Sequence, residues 1–288
     1  MVKQYIDNQI NISDLDQYAA IIGTQPSKGA RSPKLWNAVF KTENNNYKMV
    51  PLDVSKENII NLLDSLNNDK SFIGGAIAVP YKETVASWLN GNITIEASKI
   101  GAVNCLFRDN KGKLKGTNTD GEACLVTFER KYGMVKNKTI MILGSGGAGK
   151  AVSSYFANNG AQILIISRSE EGKKHAKKLK AKWCKWNEIN RYINTVDAVV
   201  NCSSVGFGDQ EKESPLNKKQ IESLKKSVAI FDIIYQPLNT NLLKIAYSQG
   251  LSGLNGLSMN LEQAVLAYKY TVKTNFTIQE IRETMSNA

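Results

Sequence analysis

The chain has 288 residues, 42% of them hydrophobic, which is enough for two domains with sizeable cores. Its net charge of +11 raises nucleic acid as a partner, but no nucleic-acid module is present and no apolar run is long enough to span a bilayer. Four scattered cysteines without CxxC spacing and a single histidine exclude a disulfide framework, a zinc cluster and histidine-based triads, so no metal site is expected.

The opening MVKQYIDNQI shows no cleavable signal pattern, and a cytoplasmic location is expected. Residues 1–16 read as a polar lead-in, and 18–22 as a short strand. After the loop 23–31, Ser32 as N-cap and Pro33 at the first helical position open a helix with Leu35, Trp36, Val39 and Phe40 on its apolar side. A strand over 47–54 follows, then a helix capped by Ser55, in which Ile59, Leu62, Leu63 and Leu66 recur at helical spacing. Residues 72–79 form a glycine-bearing strand that enters a short helix ending at Leu89. Residues 102–108 and 113–116 flank the turn signal Asp109-Asn110-Lys111-Gly112, which predicts an antiparallel hairpin. Asp120–Tyr132 reads as a helix leading into a second domain. Strands are then expected at Thr139–Leu143, Gln162–Ile166, 197–201 and 228–234, with helices at 148–158, 240–249, 258–272 and 277–285. Alternating strands and helices imply a parallel sheet with crossover helices, hence an α/β fold.

The stretch 139–169 carries the strongest chemistry. Thr139–Leu143 runs into Gly144, Gly146, Gly147 and Ala148, then a helix and a second apolar strand. Strand, glycine turn, helix and strand in this order form a Rossmann-type dinucleotide-binding unit, with the pyrophosphate on the helix N-terminus. Gly144 to Gly149 followed by Lys150 also fits the phosphate loop of nucleotidases, with Asp232 imitating the metal-holding residue. That loop requires Ser or Thr after the lysine, and position 151 is Ala. The second strand ends Ser167-Arg168-Ser169, where a guanidinium suits the 2′-phosphate of NADP; Glu170 keeps NAD as the lesser alternative. The lysine-rich run 172–185 reads as one solvated helix beside Trp183 and Trp186, with His175 as a surface residue.

Eight ordered motifs resemble the shikimate dehydrogenase family, including its quinate/shikimate members, over nearly the whole chain. They are Ser32-Pro33 before Asn37; Val79-Pro80-Tyr81-Lys82-Glu83; Gly101-Ala102-Val103-Asn104; Gly116-Thr117-Asn118-Thr119-Asp120-Gly121; the glycine turn; Asn201-Cys202-Ser203-Ser204-Val205-Gly206; Asp232-Ile233-Ile234-Tyr235-Gln236-Pro237; and Gly256-Leu257-Ser258-Met259 with Gln263-Ala264. The resemblance implies an N-terminal α/β substrate domain (residues 1–119 with 255–288), an NADP-binding Rossmann domain (120–254) and a cleft between them. It implies NADP-dependent, reversible oxidation of a ring hydroxyl, of shikimate or a related polyhydroxylated ring acid. Lys82 and Asp120 match the family's catalytic pair, Ser32, Asn104, Tyr235 and Gln263 its substrate contacts, and Asn118 and Thr119 either substrate contacts or a stabilised turn. The partner expected is a small molecule, neither nucleic acid nor membrane, and the sequence allows a monomer or a homodimer.

Two departures stand out. The family's Ser-x-Ser-Pro is Ala30-Arg31-Ser32-Pro33 here, and its Asn-Val-Thr-x-Pro is Ala76-Ile77-Ala78-Val79-Pro80. An amide and two hydroxyls are absent from the acid-binding end, while Lys28 and Arg31 add charge to the loop, with Ser27 available as a substitute hydroxyl. A paralogue acting on quinate or an aminated shikimate, a phosphate-loop nucleotidase and a non-catalytic NADP sensor are the competing readings.

Overall fold

Residue burial separates this chain into two bodies, each built on its own sheet. The computed structural model describes residues 2–288. One compact unit comprises the chain up to Thr119 together with Leu261–Ala288; the other is Asp120–Asn260.

The first unit contains β1 (Gln17–Gly23), α1 (Ser32–Thr42), β2 (Tyr47–Asp53), α2 (Ile59–Asn68), β3 (Phe72–Ile77), α3 (Lys82–Trp88), α4 (Ile95–Ile100), β4 (Cys105–Arg108) and β5 (Leu114–Thr117). Its sheet has the order β2-β1-β3-β4-β5; the first three strands are parallel, and the predicted hairpin β4–β5 closes the edge antiparallel. Alternation along β1 sends Tyr18, Ala20 and Ile22 into one apolar layer with α2, and Ala19 and Ile21 into the other with Trp36 and Phe40 of α1. At Gly74 and Gly75, φ is +129° and +141°, and a Cβ at Gly75 would lie 2.0 Å from the Ala20 carbonyl. Only glycine lets β3 press this closely on its neighbours.

The second unit runs through α5 (Asp120–Tyr132), β6 (Thr139–Leu143), α6 (Gly147–Asn158), β7 (Gln162–Ile166), α7 (Glu170–Lys178), β8 (Lys182–Cys184), β9 (Ala198–Asn201), α8 (Lys218–Glu222), β10 (Ala229–Asp232), α9 (Asn241–Ser248) and β11 (Ser252–Leu254). All six strands are parallel in the order β11-β10-β9-β6-β7-β8, so the winding reverses between β6 and β9. At such a switch point the loops leaving neighbouring strands part and open a crevice at the C-terminal edge. Helix α10 (Leu257–Thr271) crosses the division between units, and α11 (Ile278–Ser286) returns to pack on α1.

Several local readings change. Ser32 is the first residue of α1 and makes no capping bond; the N-cap is Arg31. Ser55 does not cap α2, because residues 55–58 form a turn with the Asn58 amide on the Ser55 carbonyl at 3.2 Å. The lysine-rich run is not one helix. Lys180 turns left-handed at φ 54°, Ala181 bonds back to the Ala176 carbonyl, and the chain re-enters the sheet as β8.

Candidate active site

In the first unit the C-terminal edge of the sheet collects the polar groups. Because β4 runs antiparallel to β3, Asn104 just ahead of β4 comes level with Ile77, whose amide bonds its carbonyl at 2.7 Å. The end of β5 returns to the same level, where the Asn104 amide reaches the Thr117 carbonyl at 3.1 Å. The buried Asn104 side chain is clamped by Thr119: Oδ1 accepts from the Thr119 amide at 2.8 Å, and Nδ2 donates to Thr119 Oγ1 at 3.0 Å. Thr119 Oγ1 also donates to the Gln263 carbonyl at 3.2 Å, so one hydroxyl links Asn104 to the helix carrying Gln263. Asn118 donates to the Ala102 carbonyl at 3.1 Å, a turn-holding contact. Lys82 opens α3, half-buried, and its carbonyl accepts from the Val103 amide beside Asn104. Ser32 opens α1 at the same sheet edge and is buried.

The loop after β1 is less adaptable than its composition implies. Ser27 bonds Asp53 through both its amide, at 2.8 Å, and its hydroxyl. That hydroxyl is committed and does not replace the one absent at Ala30. Ala30 and Ala78 instead lie against the apolar layer of Trp36 and Tyr268.

In the second unit, β6 delivers Gly144 at φ +102°, a conformation that L side chains rarely adopt. A Cβ on Gly149 would sit 2.3 Å from the Gly144 carbonyl, so helix and turn pack backbone to backbone. Gly146 is the N-cap of α6, makes no side-chain capping bond, and faces open space. The first amides of α6 have no partner within the helix, and no acid lies in its first turn, so Gly146, Gly147 and Ala148 form a cradle suited to a pyrophosphate.

At the end of β7, Ser167 is buried and accepts from Trp183 Nε1 at 2.9 Å, while Ser169 caps α7 through the Gly172 amide. Ser145 and Ser169 hydroxyls lie 3.2 Å apart. Both serines at the strand end are thus structural, and the exposed Arg168 between them is the group that can meet a phosphate. Glu170 lies 3.9 Å from Lys173, which stacks over Trp183.

His175 is buried, not on the surface: its Nε2 lies 2.9 Å from Ser153 Oγ of α6. Burial, and then the positive charge of Lys150 and Lys178, push its pKa down to about 4, so it is neutral at pH 7. The signal was present in the spacing, since Gly172, His175 and Ala176 fall on one helical face.

Asp120 begins α5, whose close approach to α6 requires Gly121: a Cβ there would meet the Ala151 carbonyl at 2.6 Å. Tyr235 sits half-buried in the loop after β10, followed by a cis Gln236–Pro237 bond. Asp232 is fully buried and accepts bonds from Thr240, Ile234 and Asn201. Burial pushes its carboxyl up to about 6 against those three donors. A carboxylate so enclosed cannot hold the magnesium of a nucleotidase, and Ala151 offers no hydroxyl, so the phosphate-loop reading fails on both counts. Among the described residues, no group of acids, histidines or cysteines forms a metal site, no two cysteines are joined in a disulfide, and no helix is long and apolar enough to cross a membrane.

Comparison with known proteins bears on the same residues. Residues 21–106 match the model of the shikimate dehydrogenase substrate binding domain, and residues 127–241 that of shikimate / quinate 5-dehydrogenase. A shikimate dehydrogenase (NADP(+)) of Alkaliphilus oremlandii is 30% identical over 285 residues, covering 95% of this chain and 98% of its own. One from Methanosphaera stadtmanae is 34% identical over 88% of this chain and 91% of its own. The crystal structure of shikimate dehydrogenase from Aquifex aeolicus superposes with a TM-score of 0.83 at 28% identity, over 97% of this chain and all of that one.

Proposed function

The chain belongs to the shikimate dehydrogenase family, and from that premise we propose that it transfers hydride reversibly between NADP(H) and a ring hydroxyl or ketone of shikimate or a related polyhydroxylated ring acid. The observation that carries this reading is the open glycine cradle on α6, followed at the end of β7 by one exposed guanidinium between two structurally committed serines. NADP(H), when bound, supplies or accepts the hydride.

This chain's residues supply the rest. The first amides of α6 hold the pyrophosphate, and Arg168 pairs with the 2′-phosphate through fixed charge and parallel donors. Lys82 handles the proton of the reacting oxygen, and Asp120 orients it. Asn104, held rigidly by Thr119, fixes a substrate hydroxyl together with Gln263. Ser32 and Tyr235 bound the remainder of the ring acid's site. Pre-organised polar groups of this kind lower the cost of orienting a substrate for transfer.

The test is a panel of ring acids, including shikimate and quinate, assayed with NADP and with NAD. NADP-linked oxidation of at least one acid is expected. Failure of every acid with both cofactors, or quenching of bound-NADPH fluorescence by ATP alone, overturns the reading.

A further inference from the structure

We propose that Asp232 is a positioning residue whose carboxylate fixes two loops, 202–207 and 233–240, in one arrangement and thereby sets the attitude of Tyr235. The inference rests on the reading of Tyr235 as part of the substrate site.

Asp232 is the last residue of β10 and is fully buried. Its Oδ1 accepts from the Ile234 amide at 3.1 Å, at the start of the loop that follows. Its Oδ2 accepts from Thr240 Oγ1 at 2.7 Å, at the end of that loop. Thr240 in turn caps α9 through the Leu243 amide. One carboxylate therefore clasps both ends of the segment that carries Tyr235, which directly follows the first held residue.

The clasp extends to the neighbouring strand. Asn201, the buried last residue of β9, donates Nδ2 to Asp232 Oδ1 at 3.1 Å and to the Val205 carbonyl at 3.1 Å. Its Oδ1 receives the Ser203 amide at 3.0 Å and the Ser203 hydroxyl at 2.7 Å. Both loops thus hang from one node. Gly206 stands at φ +105°, and a Cβ there would lie 3.3 Å from Ile234 and 3.6 Å from Thr240, so the loops also pack without a gap. On its other side the loop backs the glycine turn, since a Cβ on Gly144 would lie 3.0 Å from the Ser203 amide.

Three donors converge on two oxygens. Only a carboxylate accepts all three, because an asparagine would aim its own N–H groups at one of them. A buried charge is an expensive way to stabilise a core, and an apolar residue serves that end as well or better. What it supplies is a unique geometry for the loops, since Asp232, Asn201 and Thr240 are all too buried to touch a substrate themselves.

The experiment uses the full chain with Asp232→Asn, Thr240→Val and Thr240→Ser. Hydrogen exchange by mass spectrometry should show faster exchange in both loops together in the first two variants, with β6 and β7 still protected, and wild-type rates in Thr240→Ser. With shikimate as the probe, KM should rise and kcat fall tenfold or more in the first two, while NADPH affinity stays within about threefold. Exchange that changes in one loop only, or in neither, overturns the proposal, as does a fall in kcat with KM unchanged. If Asp232→Asn does not fold, the Thr240 pair decides. A wild-type chain inactive on every ring acid overturns the functional reading instead, and the exchange data still judge the clasp.

Discussion

In the proposed site cofactor choice should turn on Arg168, because its serine neighbours are spent on Trp183 and on the cap of α7. Arg168→Ala should weaken NADP binding by about 1.5–3 kcal/mol, the range of charge-assisted hydrogen bonds, and leave NAD binding nearly unchanged. Titration of bound-cofactor fluorescence measures this, and equal losses for both cofactors would remove Arg168 from the role. Lys82→Ala and Asp120→Ala should each lower kcat by orders of magnitude with little change in NADP affinity. The double variant should be little slower than either single one, since groups serving one proton transfer are not additive. Additive losses in steady-state kinetics would separate the two residues.

The loop after β1 and the segment after β3 are the proposed acid-binding end. With Ser27 tied to Asp53 and Ala30 and Ala78 against the apolar layer, no side-chain hydroxyl stands at the altered positions, and efficiency on shikimate should be low. Ala30→Ser combined with Ala78→Thr should recover roughly tenfold or more in kcat/KM, equivalent to about 1.4 kcal/mol. Wild-type turnover at ordinary family efficiency would refute the idea. The larger elements could be read from the sequence because buried parallel strands such as Thr139–Leu143 are continuous apolar runs. The strands β8 and β11 escaped because each has three residues, too few for any period to emerge. The end of α7 escaped because lysine is a good helix former, and nothing local announces that Lys180 turns left-handed. The burial of His175 is masked by its flanking lysines, and the bonds that Asp232 gathers are not announced by its motif. In both cases the deciding fact is a partner distant in sequence, Ser153 and Asn201, which composition does not reveal.

At the scale of the whole molecule, two buried groups pull stability in opposite directions as pH changes. His175, lowered from 6.5 to about 4, contributes stability that is complete above pH 6.5 and is lost as pH falls towards 4. Asp232, raised from 3.8 to about 6, contributes stability that is complete below pH 3.8 and is lost as pH rises through 6. Each is worth on the order of 3 kcal/mol, so the wild type should show a flattened profile between these limits. Denaturant titrations should show stability rising with pH in Asp232→Asn and falling in His175→Gln; parallel profiles would contradict the opposition. The division of the chain has a further consequence, for the order in which it folds during synthesis. The layer around Trp36 and Phe40 draws on Val265, Tyr268, Ile281 and Met285, whereas Asp120–Asn260 is one uninterrupted stretch. On the ribosome the earlier-made part must therefore wait, its apolar layer unfinished, until the last residues emerge, while the later-made part can already be complete. A chain stopped after Asn260 should give protease-resistant fragments from residues 120–260 and none from the segment before them, the reverse of the order of synthesis.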